Sequence, residues 1–162
     1  MKKIVIVMGL TFSTIVFSAS TVKNEADLFQ EMYGKNKKEV LAQHMKLSAS
    51  QVDKFWEVYE SYEAERKQLG QIKLELINEY AKNFTTLTNE NADKIAIQTL
   101  QNNMDYEKLY SKYYKKAKSA LGAKEAAKFI QLEVYFQTVL RTEVQNSIPI
   151  IGEIEKSTQT DW

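Results

Sequence analysis

The chain has 162 residues, with 22 basic and 21 acidic side chains, one histidine and no cysteine. Neither nucleic acid nor an anionic membrane is implied by so even a charge balance. The missing cysteines exclude disulfides, thiolate metal sites and cysteine nucleophiles.

Residues 1–20 carry Lys2 and Lys3, then an uncharged apolar stretch from Ile4 to Phe17, then the small residues Ser18-Ala19-Ser20. This is the pattern of a secretory signal peptide cut after Ser20. The apolar stretch is shorter than the roughly 20 residues of a spanning helix. The alternative is an uncleaved N-terminal anchor, which would hold the chain at the membrane surface. With the leader removed, 20 basic residues face 21 acidic ones. The expected location is the bacterial periplasm, with no integral membrane span in the mature chain.

Residues 21–35 read as a leader segment with a short helix over Ala26 to Tyr33. The helical domain then runs over 36–150. Its only proline is Pro149, and its glycines are Gly70 and Gly122. So few breakers among abundant Ala, Leu, Glu, Lys and Gln favour helix over strand. No Asn-Gly or Asp-Gly hairpin signal is present. The fold class is all-α: three long amphipathic helices plus the short N-terminal one, in an extended hairpin-like or cradle architecture.

Caps place the helix starts. Asn36 precedes Glu39 by three residues, and Ser48-Ala49-Ser50-Gln51 is a capping box. Thr88-Asn89-Glu90-Asn91 is a weaker version of it. Gly122-Ala123-Lys124-Glu125 offers only glycine at the cap. The first long helix spans about 49–83 and is about 50 Å long at 1.5 Å per residue. Its apolar face is Val52, Phe55, Trp56, Tyr59, Tyr62, Leu69, Leu76 and Tyr80. Glu63 and Lys67 are expected to pair on its exposed side, and Gly70 permits a bend or a close crossing. The second covers about 89–118, burying Ile95, Thr99, Met104, Tyr106, Tyr110 and Tyr113. The third covers about 123–147, burying Phe129, Leu132, Phe136, Leu140 and Val144, and Pro149 stops it. Residues 151–162 read as a flexible tail.

Leu47-Ser48-x-x-Gln51, Leu87-Thr88-x-x-Asn91 and Leu121-Gly122-x-x-Glu125 share one pattern: a leucine that staples the first helical turn, then the cap, then a polar third position. Through Leu47, Ser48 and Gln51, and more loosely Leu121, Gly122 and Glu125, the chain resembles the Spy/CpxP superfamily of periplasmic helical proteins, the LTxxQ-motif family. Phe55-Trp56-x-x-Tyr59-x-x-Tyr62 and Lys128-Phe129-x-Gln131-Leu132-Glu133 resemble an uncharacterised exported branch related to it. Serine at 48 keeps the cap chemistry of the family's threonine. Gly122 and Glu125 depart from its threonine and glutamine.

The resemblance implies a thin helical homodimer that acts in the envelope stress response as a chaperone for unfolded clients. A second reading is a regulatory module docking on a membrane sensor kinase or an anti-sigma factor. Some relatives bind zinc, but His44 alone, without cysteine or a second histidine, makes a poor site. No metal or other cofactor is expected. Glu57, Glu60 and Glu63 read as a solvated helix face, and no phosphate loop or nucleophile elbow occurs, so no enzyme is expected. Lys35 to Lys38 and Lys115 to Lys118 are short basic clusters, the second explained by its place at a helix C-terminus. The aromatics Phe55, Trp56, Tyr59, Tyr62, Tyr110 and Tyr113 suit either a thin core or a surface for protein clients.

Overall fold

The computed structural model describes residues 36–147. The leader over 1–20, the segment 21–35 with its expected short helix, Pro149 and the tail lie outside the described residues. Four helices follow in order: α1 (Lys37–Met45), α2 (Ala49–Asn83), α3 (Asn89–Leu121) and α4 (Ala123–Ser147), with a 3₁₀ turn at Phe84–Thr86 between α2 and α3. There is no strand among the described residues, so the chain is all-α.

The caps sit where their side chains place them. Asn36 Oδ1 accepts from the Glu39 N–H at 3.0 Å, and Thr88 Oγ1 accepts from the Asn91 N–H at 3.2 Å. At α2 the Ser48 capping box is present, with the Ser48 N–H donating to Gln51 Oε1 at 3.2 Å. Between α3 and α4 the chain turns on one residue. Gly122 has φ +90, and a Cβ there would meet nothing within 4 Å. Glycine is therefore required by the backbone angle and not by space.

α2 and α3 form an antiparallel hairpin whose cross-links descend in register. Lys94 pairs with Glu79, Asn102 with the Leu69 carbonyl, Lys112 with Glu65, and Gln51 with the Leu121 carbonyl. α4 returns along α3, tied by Arg141 to Asn103 at 2.8 Å. α1 lies against α2 and α4, with Lys37 bound to both Glu63 and Glu133. Its end is fastened by Lys128, whose Nζ donates to the Met45 carbonyl at 3.0 Å. That bond satisfies one of the carbonyls a helix terminus leaves open.

The core fills the half of the bundle that α1 covers. Leu41, Phe55, Tyr62, Tyr113, Ala117, Ala126 and Phe129 are all fully enclosed there. Phe129 meets Phe55 and Tyr62 edge-on, at centroid separations of 5.4 and 5.3 Å. Such pairs add roughly 0.5–1.5 kcal/mol each beyond the area they bury. Gly70 is buried beside the Leu69–Asn102 contact. Among the described residues, Leu76 is the one buried apolar side chain that stands apart from the main cluster.

Two positions expected on the buried side of α3 are exposed, Thr99 and Met104. Its buried stripe runs Asn102, Tyr106, Leu109, Tyr110, Tyr113, Ala117 and Leu121. Met104 stands two residues from both Asn102 and Tyr106, which turns it about 200° away at 3.6 residues per turn. Thr99 shares the stripe's direction but lies where the bundle thins.

Candidate functional site

The two aromatic stretches that carry the family resemblance pack against each other. Phe55, Tyr59 and Tyr62 of α2 surround Phe129 of α4, and Tyr113 of α3 closes on Tyr62 at 5.3 Å. Five of the six singled-out aromatics are buried: Phe55, Tyr59, Tyr62, Tyr110 and Tyr113. Trp56 is half-buried at the edge, where Lys38 Nζ lies 4.8 Å from its ring centre. These rings are core.

A charged network sits inside this aromatic shell. The Glu133 side chain has no solvent exposure. Its Oε2 accepts from Lys37 Nζ at 2.5 Å and from the Tyr62 hydroxyl at 2.8 Å, while Oε1 has no hydrogen-bond partner. Lys37 also reaches Glu63 Oε2 at 3.2 Å, and Arg66 grips Glu63 with two bonds of 2.9 and 2.8 Å. Glu63 is therefore half-buried and held by Lys37 and Arg66, contrary to the solvated pairing with Lys67 expected from helical spacing. The reason is tertiary: α1 delivers a lysine from 26 residues earlier in the chain. Glu57 and Glu60 are exposed.

The network shapes ionisation. Burial alone would raise Glu63, but the Arg66 hydrogen bonds and the Lys37 charge outweigh it and hold the carboxyl below its usual range. Burial, and then the neighbouring carboxylates, push the Tyr59 and Tyr62 hydroxyls far above theirs. Tyr113 is pushed up to about 12, by burial first and then by its hydrogen bond to Glu65. These groups stay neutral or paired at physiological pH. The cluster fastens α1 to the bundle.

The leucine-cap motifs meet at one end of the bundle. Leu47 is half-buried against the core and Leu121 is buried. Gln51 caps α2 with its oxygen, and its Nε2 donates to the Leu121 carbonyl at 3.1 Å, so one side chain serves the start of α2 and the end of α3. Glu125 does not reproduce this. Its Oε2 is buried without a hydrogen bond, 3.8 Å from Lys128. The second motif thus shares the position of the first and not its chemistry.

His44 is exposed, its Nδ1 2.8 Å from the Val40 carbonyl. Among the described residues no group of three or more His, Cys, Asp or Glu is placed to hold a metal ion. No helix among them is long and apolar enough to cross a membrane. The first basic cluster is dismantled by pairing, since Lys37 is in the core network and Lys38 bonds Glu60 at 3.0 Å.

A different surface was not foreseen. Ile97, Leu100 and Met104 follow one stripe of α3 and are exposed, Leu100 by 63%. Val134 and Tyr135 on α4 are exposed as well. Leu100, Met104 and Val134 border a cleft of about 520 Å³ between α3 and α4, floored by Tyr106, Tyr110 and Gln137. Gln137 is only 8% exposed, yet neither its Nε2 nor its Oε1 has a hydrogen-bond partner. The sequence signal was present: α3 carries a second apolar row at steps of three and four, opposite the row of buried tyrosines.

Comparison with protein-family models, with curated proteins and with solved structures found no match to this chain.

Proposed function

We propose that this chain is a non-enzymatic exported protein of Spy/CpxP-like type, which binds unfolded or partner proteins in the periplasm during envelope stress. The observation that carries this reading is the cleft edged by Leu100, Met104 and Val134, with the unpartnered Gln137 amide at its floor. Exposed apolar residues gathered around a concavity mark interaction sites more often than scattered ones do. A buried amide with both donor and acceptor unmet is costly by itself. It is satisfied by a peptide backbone, which offers one N–H and one C=O per residue. The chemistry therefore suits an apolar polypeptide segment, held reversibly and without nucleotide or cofactor.

The test is suppression of aggregation of a chemically unfolded client at stoichiometric amounts, repeated with Leu100→Asp and Gln137→Leu. Suppression by the parent chain that the variants lose supports the reading; no suppression by the parent chain removes it. Recovery of one stoichiometric membrane partner by crosslinking in envelope extract would instead favour the regulatory module.

A further inference from the structure

An even total conceals an uneven distribution of charge along α3. Residues 89–107 hold Glu90, Asp93, Asp105 and Glu107 against Lys94. Residues 108–121 hold Lys108, Lys112, Lys115, Lys116 and Lys118, and no acid. The helix dipole accounts for little of this, because its effect falls off within the last turn. Of these lysines only Lys118 stands there. Internal contacts engage three of the others: Lys108 bonds Asp105, Lys112 bonds Glu65, and Lys116 lies 4.8 Å from the centre of the Tyr113 ring. Lys115 and Lys118 are exposed and have no side-chain partner among the described residues.

The fold brings further cations to this end of the bundle. The Gln51 bond to the Leu121 carbonyl sets the start of α2 beside the end of α3. The Lys128 bond to the Met45 carbonyl sets the end of α1 beside the first turns of α4. Lys46 at the α1–α2 corner, Lys54 one turn beyond Gln51 and Lys124 at the start of α4 therefore gather with Lys115 and Lys118. All five are exposed, and none has a side-chain hydrogen bond or ion pair among the described residues. The unpaired carboxylates beside them are Asp53 and Glu57, since Glu125 lies 3.8 Å from Lys128. Unpaired positive charge therefore outweighs negative at this end, although the chain as a whole is near balance.

We propose that this basic end docks on an anionic phospholipid surface through the headgroup phosphates. Three features favour lipid over an acidic protein. Every unpaired cation is a lysine, a point charge on a flexible stem, without the bidentate fork of arginine. Lysine is depleted where proteins meet proteins, whereas basic side chains near an anionic leaflet each add to attraction. The large exposed apolar residues Ile72, Ile97, Leu100, Met104, Val134 and Tyr135 all lie away from this end. Attachment is therefore electrostatic, with no apolar anchor among the described residues. Met104 stands 17 helical residues from Leu121, about 25 Å, well beyond a Debye length of about 8 Å. The client cleft then faces away from the lipid. The proposal does not depend on the client reading, because no residue of the cleft belongs to the basic end.

The test sediments the full chain with vesicles of phosphatidylcholine alone, and with vesicles of equal parts phosphatidylcholine and phosphatidylglycerol, at low ionic strength. The neutral vesicles also report any attachment through the apolar stretch from Ile4 to Phe17. The expected result is stronger binding to the anionic vesicles, falling to the neutral level in high salt. Lys115→Gln with Lys118→Gln lowers that binding about 25-fold, at roughly fivefold for each lysine. Lys67→Gln with Lys82→Gln removes the same charge from exposed sites elsewhere on α2 and leaves binding within about twofold. Should the first pair lower the helical circular dichroism, Lys54→Gln with Lys124→Gln replaces it, with the same loss expected. Equal losses from the basic end and from the α2 pair overturn the proposal, because attraction then follows net charge alone. Equal binding to both kinds of vesicle, binding to neither, or binding that withstands high salt also overturns it. Retention on immobilised polyglutamate without vesicle binding assigns the end to an acidic polypeptide instead.

Discussion

The two halves of this bundle are built from the same helices and are held together differently. In the half covered by α1, phenylalanines and tyrosines from α2, α3 and α4 interlock around Phe129, and Lys37 closes on Glu133. In the other half, past Gly70 and Asn102, Leu76 is the one buried apolar side chain among the described residues, while Ile72, Ile97 and Leu100 are exposed. Helical propensity is similar along all three long helices, so propensity does not cause the difference. A fourth element does. Two helices in an antiparallel pair each leave part of their apolar stripe uncovered, and only where α1 and α4 both arrive is that stripe enclosed. Enclosed apolar packing therefore gathers at the end that α1 covers.

Substitutions can break that contrast at either end. Phe129→Ala is expected to cost about 3–5 kcal/mol in a urea unfolding experiment, because the ring is fully enclosed. Leu76→Ala in the thin half falls at or below the low end of the large-to-small range, about 2 kcal/mol, since its surroundings open onto a cavity. Equal costs would mean that the two halves share one core. Lys37→Met falls between these two, at about 3 kcal/mol, because Glu133 would be left buried without its cation; amide exchange should show α1 loosening first.

The pH dependence follows from the same half. Glu63 has a folded pKa below its ordinary 4.5. Its contribution is complete above that ordinary value and fades as pH falls through the lowered one. Tyr59 and Tyr62 are raised above 10.0. Their contribution is complete below that value and is lost as pH climbs towards the folded one. Glu63→Gln should flatten the acid limb of stability and leave the alkaline limb in place; an unchanged acid limb would remove Glu63 from the account. Gln51→Ala should cost about 1 kcal/mol, since it ends both the α2 cap and the bond to the Leu121 carbonyl. The smallest stability change is expected for Leu100→Ser with Met104→Ser, within about 0.5 kcal/mol, accompanied by weaker client binding. A large loss of stability there would show the outer row to be structural.

Much of the fold could be read before any coordinates. The capping residues Asn36, Ser48 and Thr88 mark helix starts because their side chains answer local backbone donors, and local chemistry is written locally. Gly122 marks the α3–α4 turn for the same reason. The charged core was only half legible. Glu133 lies in the row Phe129, Glu133, Phe136, Leu140, so its burial follows from periodicity, whereas its partner on another helix does not. Glu63 was misplaced because spacing along α2 names Lys67 and is silent about Lys37. Met104 was misplaced because α3 carries two apolar rows, and sequence does not say which one meets α2 and α4.

What the sequence determined by itself is therefore the set of helices, their ends and the apolar stripe that runs along each. These depend on hydrogen bonds and contacts within a few residues. Tertiary structure alone decided which stripe is enclosed, which charges are paired out of water and which apolar row on α3 is left outside. Those outcomes depend on how many helices meet at each level of the bundle, and that number is set by the lengths and directions of elements far apart in the chain.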